Sequence, residues 1–329
     1  MTASGEDRFI ARFFRPLATS AAALNLLDDT ALLPAPAAAD LVLTKDALVA
    51  GVHFFADDPP ASIGRKALGV NLSDLAAKGA APLGALLALA LPPETGEAWV
   101  EAFAAGLGED MDRYGCPLLG GDTVHTPGPL TISLTAIGAV PKGRFVPRTG
   151  AAPGQAILVS GTIGDAALGL KLRLEPGRAG FATLPLAHRE HLRHRYLVPQ
   201  PRLALAEALR THAASAMDIS DGLVGDIAKM LAVSGCGGWI ESAAVPLSNA
   251  AAAVIAAEGG LLATALTGGD DYEVACTVPL EQTEAAIALA AQCGVALHLI
   301  GETRAEPGLD VIGDGGVPLH FARSSYSHI

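Results

Sequence analysis

Apolar residues recur at helical spacing through Ile63, Ala67 and Val70, and Asp74 falls next in the same series. The series predicts a helix over 62–78, with Ser62 as its N-cap and Gly79 as its C′ stop. Asp74 is thereby placed on a helix whose other residues are almost all apolar. A lone carboxylate there is usually solvated or a cap, and buried ones are paired or ligate a metal. Residues 80–91 are an apolar run too short to span a bilayer, and 83–91 reads as a buried strand.

Further signals fill in both halves. A short helix is predicted over 5–15, and an apolar strand over 41–44 that delivers Asp46 at its end. Thr95 is the predicted cap of a helix reaching about 114. A strand over 116–119 ends in Gly120-Gly121-Asp122-Thr123, and 130–140 has strand character. Residues 141–154 then hold three prolines and three glycines, the best boundary signal in the chain. It divides the sequence into domains 1–149 and 150–329. The second half restarts with a strand over 156–160, a turn over 161–165 and a helix. Pro199 and Pro201 precede another helix. A strand over 216–219 runs into Ser220-Asp221-Gly222 and a helix to about 233. Helices over 248–257 and 280–293 and strands over 272–278 and 296–300 complete the pattern. Alternating strands and helices in both halves predict an α/β (α+β) sandwich in each.

Composition narrows the function. Half of the 329 residues are apolar, with alanine supplying much of that share, so a positive mean hydropathy does not require a membrane. A net charge of -12 argues against nucleic acid as a partner. An acidic protein still binds phosphates where divalent cations bridge them to carboxylates. Cys116, Cys236, Cys276 and Cys293 form no CxxC pair, so neither a zinc ribbon nor a disulfide framework is indicated, and a cytoplasmic setting fits. The first fifteen residues lack a signal-peptide core.

No GxxxxGK[ST] loop, kinase HRD or DFG set, GxGxxG turn or GxSxG elbow is present. His188, His191 and His194 are spaced three apart, but arginines interleave them, and a solvated helix face is the expectation rather than zinc. Acidic residues at strand ends, Gly-rich turns and helix starts are the stronger feature. They are Asp28-Asp29, Asp46, Asp74, Asp122, Asp218, Asp221, Asp226 and Asp270-Asp271. Each alone is an ordinary turn residue. Together they suggest one oxygen-rich site for hard cations. Arg148, after a Pro-rich loop, could fork onto phosphate or simply be exposed. His53 beside Phe54 could equally be a packed histidine.

In order, the motifs Thr44-Lys45-Asp46 with Gly51-Val52-His53-Phe54, Asn71-Leu72-Ser73-Asp74-Leu75-Ala76-Ala77, Asp218-Ile219-Ser220-Asp221-Gly222-Leu223 and Gly268-Gly269-Asp270-Asp271-Tyr272-Glu273 make the chain resemble the thiamine-monophosphate kinase family. That family belongs to the superfamily of aminoimidazole ribonucleotide synthetase and selenophosphate synthetase. The resemblance runs from Gly5-Glu6 to Tyr326. It implies a two-domain aminoimidazole-ribonucleotide-synthetase-like fold, a homodimer whose N-terminal sheets join into a barrel, and a C-terminal domain that completes the site. It implies Mg²⁺ at Asp29, Thr44, Lys45, Asp46, Asp74, Asp122, Asp218 and Asp221, several ions per site. ATP, the co-substrate, would contact Gly121, Asp122, Arg148 and Ser220, and thiamine monophosphate His53, Asp270 and Tyr326. The implied reaction is direct in-line phosphoryl transfer that forms thiamine diphosphate, with no residue as catalytic base or nucleophile.

Four positions depart from the family pattern. Leu27 stands where glycine is usual. Because leucine does not take positive φ cheaply, the loop before Asp28 is expected to change shape. Lys45 replaces serine or threonine, and its ammonium is expected to compete with a cation. Asp270 replaces glutamate, and Ala104 stands where some relatives have an ATP-contacting tyrosine. Other ATP-dependent chemistry of the superfamily, or a non-catalytic member of the fold, are the alternatives. A selenophosphate-forming enzyme would want a reactive cysteine near the N-terminus, and none precedes Cys116.

Overall fold

The structure, a computed structural model, describes residues 5–28 and 30–326. It forms two compact units, one of residues up to Leu75 with Ala80–Gly143, the other of Ala76–Gly79 with Arg144 onwards. The first unit runs α1 (Gly5–Phe13), β1 (Ala39–Val49), α2 (Pro60–Ala77), β2 (Ala81–Leu91), α3 (Glu97–Tyr114), β3 (Leu118–His125) and β4 (Thr131–Pro141). The sheet order is β1-β4-β2-β3. Only β2 and β3 are parallel, joined through the crossover helix α3; the other neighbours are antiparallel.

Strand periodicity gives this sheet two unlike faces. Leu87, Leu89, Ile132, Leu134 and Ala136 are buried, together with Leu68, Leu72 and Leu75 of α2 and Phe103 and Leu107 of α3. The opposite face leaves Leu41 at 45 %, Leu43 at 64 %, Leu86 at 38 % and Val124 at 49 % exposure.

Several local expectations shift. α2 begins at Pro60, which suits the first helical position, and the Ser62 hydroxyl donates to Pro59 O at 2.7 Å instead of capping. At its other end Gly79 takes φ 66°, with Gly79 N–H on Ala76 O and Ala80 N–H on Leu75 O, the expected left-handed stop. The N-cap of α3 is Gly96, not Thr95. Asp46 lies inside β1, because all eleven residues of that strand pair with β4 and carry the polar Thr44-Lys45-Asp46 through the ladder. Gly120 to Thr123 likewise lie inside β3, paired with Leu86 to Leu89. Leu27 has φ −109°; the left-handed residues are Leu24, Asn25 and Leu26, just before it. The loop bends three residues earlier than the sequence suggested, and Leu27 itself carries no positive-φ cost.

The second unit comprises β5 (Gln155–Ser160), α4 (Asp165–Leu174), α5 (Ala179–Ala182), α6 (Leu186–Leu197), α7 (Ala206–His212), β6 (Ser215–Ile219), α8 (Leu223–Val233), β7 (Gly237–Glu241), α9 (Asn249–Ala257), α10 (Leu261–Thr267), β8 (Glu273–Pro279), α11 (Thr283–Gln292), β9 (Leu297–Arg304) and β10 (Gly308–Ile312). Its sheet has the order β10-β7-β9-β5-β8-β6. Alternate residues go to opposite cores. Ile157, Val159, Met217, Ile219 and Ala275 pack with Leu223, Ile227 and Met230 of α8. Leu158, Ala216, Val274 and Cys276 pack with Leu209 of α7 and Ala286 and Ala290 of α11. Burial on both faces explains why β5, β6 and β8 read as continuous apolar runs. The four cysteines are free, three of them buried. Burial pushes the Cys116 and Cys276 thiols up to about 12, which makes them inert at neutral pH.

α6 bears out the expectation of a solvated helix face only in part. His191 and His194 are exposed, but Arg195 is buried and Arg189 turns back to Phe181 O at 2.6 Å. His191 Nε2 lies within hydrogen-bond distance of Asp165 Oδ2, at 3.0 Å.

Candidate active site

In the first unit β1 and α2 bring three expected ligands together. Thr44 and Asp46 alternate onto the helix-covered face of β1, opposite Ala136 and Leu134, and α2 sets Asp74 over them. The Thr44 hydroxyl donates to Asp74 Oδ2. Burial, then the neighbouring Asp74 charge, push the Asp46 carboxyl up to about 6. Two carboxylates and a hydroxyl, with negative charge uncompensated by any cationic side chain among these contacts, form an oxygen donor set that fits a hard divalent cation. Lys45 alternates to the open face of β1, away from Asp46 and Asp74.

The turn after β1 fixes His53. Val49 N–H donates to His53 Nδ1 at 3.0 Å, so the neutral ring carries its proton on Nε2. Buried Lys66 donates to His53 O at 3.1 Å and holds the same turn from α2. His53 is therefore held in one orientation by its own turn.

Gly121 and Asp122 lie apart from this group. β1 and β3 are opposite edges of the sheet, three strand spacings or about 14 Å from each other. Asp122 pairs with Ala88 on the open face, whereas Asp46 is on the covered one. Around Gly120 to Thr123 is a cavity of about 470 Å³, walled by Ile10, Phe14, Leu26 and Leu33 and carrying Asp28 and Thr30. Asp29 lies outside the described residues. Gly121 has a structural reason to be glycine: a Cβ there would stand 1.9 Å from Leu87 O. Among the described residues no three His, Cys, Asp or Glu side chains converge as a metal centre.

In the second unit the loop after β6 carries Ser220 and Asp221, beside buried Asp218 at the strand's end. Asp226, one of the acidic residues expected to contribute to a cation site, organises this loop. One of its oxygens accepts the amides of Ser220 at 3.0 Å, Asp221 at 2.8 Å and Gly222 at 3.2 Å. Its position in the first turn of α8 also favours a carboxylate. Lys229, one turn further along α8, reaches Asp221 Oδ2 at 2.6 Å and Asp226 Oδ1 at 2.9 Å. Burial pulls the Lys229 ammonium down, but its bonds to Asp221 and Asp226 outweigh that and hold it above the usual lysine value.

The loop before β8 lies against the same turn. Asp270 N–H donates to Ser220 O at 2.8 Å, Tyr272 N–H to Ile219 O at 2.9 Å, and Tyr326 N–H to Asp221 O at 2.9 Å. Asp270, Tyr326, Ser220 and Asp221 are thus brought together. Arg148 sits beside Pro147, whose carbonyl takes the Ala216 amide near the other end of β6. Asp270 and Tyr272 both have positive φ, 72° and 51°, a costly conformation for residues with a Cβ and one found at functional loops.

Anchors hold that strain in place. Asp271, fully buried, accepts from Gly164 N–H at 2.8 Å at the start of α4; burial drives its carboxyl well above the usual range. Glu273, also fully buried, accepts from Ser160 Oγ at 2.6 Å, Arg195 Nη2 at 2.9 Å and Arg202 Nε at 2.6 Å. In the Gly-Gly-Asp-Asp-Tyr-Glu motif, Asp271 and Glu273 therefore build the loop, while Asp270 accepts from the Tyr272 hydroxyl at 3.3 Å. Nothing in the one-dimensional pattern separates the three roles.

Comparison with known proteins agrees with this architecture. Residues 27–140 match the family model of the AIR synthase related protein N-terminal domain, and residues 152–314 that of its C-terminal domain. These are the two-domain α/β proteins of the expected fold class. Thiamine-monophosphate kinase of Salmonella typhimurium is 41 % identical over 99 % of this chain and 98 % of its own. A crystal structure of thiamine-monophosphate kinase from Stenotrophomonas maltophilia superposes with TM-score 0.83 at 39 % identity, over 95 % of this chain and 96 % of that one. AaThiL complexed with AMPPCP and TMP superposes with TM-score 0.77 at 32 % identity over 91 % of each chain. The chain belongs to the thiamine-monophosphate kinase family.

Proposed function

We propose that this protein transfers the γ-phosphoryl group of ATP to the phosphate of thiamine monophosphate, forming thiamine diphosphate, with Mg²⁺ bound at its acidic residues. The observation that carries the reading is the Thr44, Asp46 and Asp74 group, which concentrates oxygen ligands and negative charge without a cation of its own. A relative of the same fold whose complex contains AMPPCP and TMP supports the choice of substrates. Mg²⁺ held by Thr44, Asp46 and Asp74, by Asp122 with Asp29, and by Asp218 and Asp221 would supply neutralisation of the charge on the two phosphate chains.

The chain's own residues do the rest. His53 presents Nε2–H as a donor to the acceptor phosphate, since its Nδ1 is committed to Val49. Asp270, fixed in its left-handed conformation, offers a carboxylate to the cationic ring system of the acceptor, with Tyr326 alongside. Gly121, Asp122, Arg148 and Ser220 are assigned to ATP, and the cavity along β3 gives its base an apolar wall. The acceptor is mostly a dianion at neutral pH, because a phosphate monoester has its second ionisation near pH 6. Its attacking oxygen holds no proton, so an in-line transfer needs no protein base.

Asp122 and the Asp46–Asp74 pair stand at opposite edges and on opposite faces of one sheet. We read the ligand set as completed by a second copy of the chain, packed on the exposed face of Leu41, Leu43, Leu86 and Val124, with the two sheets closing into a barrel. No described helix is long and apolar enough to cross a membrane. The direct test is ATP consumption with and without thiamine monophosphate, in Mg²⁺ and in chelator. Turnover that requires both supports the reading, and equal turnover without the acceptor contradicts it.

A further inference from the structure

We propose that Lys229 is a built-in competitor for the cation position at Asp221. The proposal rests on the reading of Asp221 as a magnesium ligand given above. Asp221 sits on the loop whose three successive amides are held by Asp226. The loop is therefore fixed, and what varies is the company its carboxylate keeps. Lys229 Nζ lies 2.6 Å from Asp221 Oδ2, at contact distance, where an incoming cation would have to bind. The ammonium has a second anchor, 2.9 Å away on Asp226 Oδ1, and its side chain is 40 % exposed. It can thus leave Asp221 while keeping Asp226, and solvent can receive it. A divalent ion at Asp221 gains a carboxylate but faces a positive charge a few ångströms away unless that ammonium moves. Lys229 thereby keeps the loop neutralised in the empty protein and sets the metal concentration at which Asp221 is recruited.

The test uses the full-length protein without nucleotide and Mn²⁺ as the probe, with binding read by calorimetry or by the electron paramagnetic resonance of free Mn²⁺. Lys229→Met is expected to tighten one class of Mn²⁺ site several-fold, up to about tenfold, and the gain is expected to vanish in Lys229→Met/Asp221→Asn. If Asp221→Asn weakens Mn²⁺ binding but Lys229→Met leaves it unchanged, the competition is overturned while Asp221 remains a ligand. If neither substitution changes Mn²⁺ binding, the proposal fails together with the ligand reading it rests on. A measurement on the unaltered chain guards against a variant that misfolds. Acetylation of Lys229, followed by peptide mass spectrometry with exposed Lys142 as reference, is expected to speed up several-fold when Mg²⁺ is added. An unchanged ratio would overturn the release of the ammonium.

Discussion

Glu273 offers the sharpest stability test, because its surroundings set the size of the effect. Its carboxylate is wholly buried and faces Arg195, itself 4 % exposed, together with Arg202 and Ser160. Glu273→Ala removes the only charge balancing Arg195 among these contacts and leaves Ser160 Oγ without its acceptor. Breaking a buried ion pair from one side costs about 3–5 kcal/mol. For a domain of this size each kcal/mol lowers Tm by about 2–4 °C, so a fall of about 6–20 °C is expected. Glu273→Gln keeps the shape and one acceptor oxygen and should fall less. Thermal unfolding by circular dichroism, repeated in urea, measures both. Because Asp270 and Tyr272 lie just upstream in left-handed conformations, the Gln variant should also raise KM for thiamine monophosphate. A Tm within about 2 °C of wild type for the Ala variant would refute the argument that this ion cluster anchors the loop.

Asp46 gives a pH signature in the metal-free protein. Folded, it keeps its proton to about pH 6; unfolded, it loses it near the usual 3.8. The folded state is the better proton binder, so this contribution to stability is full below about pH 4 and is lost as pH rises through 6. Melts between pH 4 and 7 should show that fall, reduced in Asp74→Asn and cancelled by Mg²⁺, and a fall of equal size in Asp74→Asn would contradict it. Gly121→Ala should lower Tm even without nucleotide, since its methyl group would meet Leu87 O at 1.9 Å and separate β3 from β2; an unchanged melt with only ATP affinity lost would show a purely ligand-facing glycine. His53→Ala should raise KM for thiamine monophosphate about tenfold or more with KM for ATP little changed, as expected for a lost charge-assisted hydrogen bond; a selective rise in KM for ATP would reverse the assignment.

The sequence was most legible where a local rule and the tertiary structure agree. Asp74 on its apolar helix, the Gly79 stop and the two α/β halves follow from periodicity and turn chemistry alone. Three kinds of feature were hidden. Strand pairing extended β1 and β3 through Thr44 to Asp46 and Gly120 to Thr123, and no local propensity signals that extension. β7 and β10 were missed, one opening on Gly237-Gly238 and both short, so neither has a side-chain pattern to read. The anchoring roles of Asp226, Asp271, Glu273 and Arg195 depend on partners up to about a hundred residues away, as with Glu273 and Ser160. Lys45 shows the reverse case: the expectation that its ammonium opposes a cation at Asp46 ignores that neighbours in a strand face opposite ways.

The central claim, that a phosphoryl group passes in one step from ATP to thiamine monophosphate, has one decisive measurement. ATP made chiral at the γ-phosphorus is incubated with the protein, Mg²⁺ and thiamine monophosphate, and the configuration at the new terminal phosphorus is read. The expected product is thiamine diphosphate carrying the label with inverted configuration. Retention, or label found only in inorganic phosphate, would contradict it.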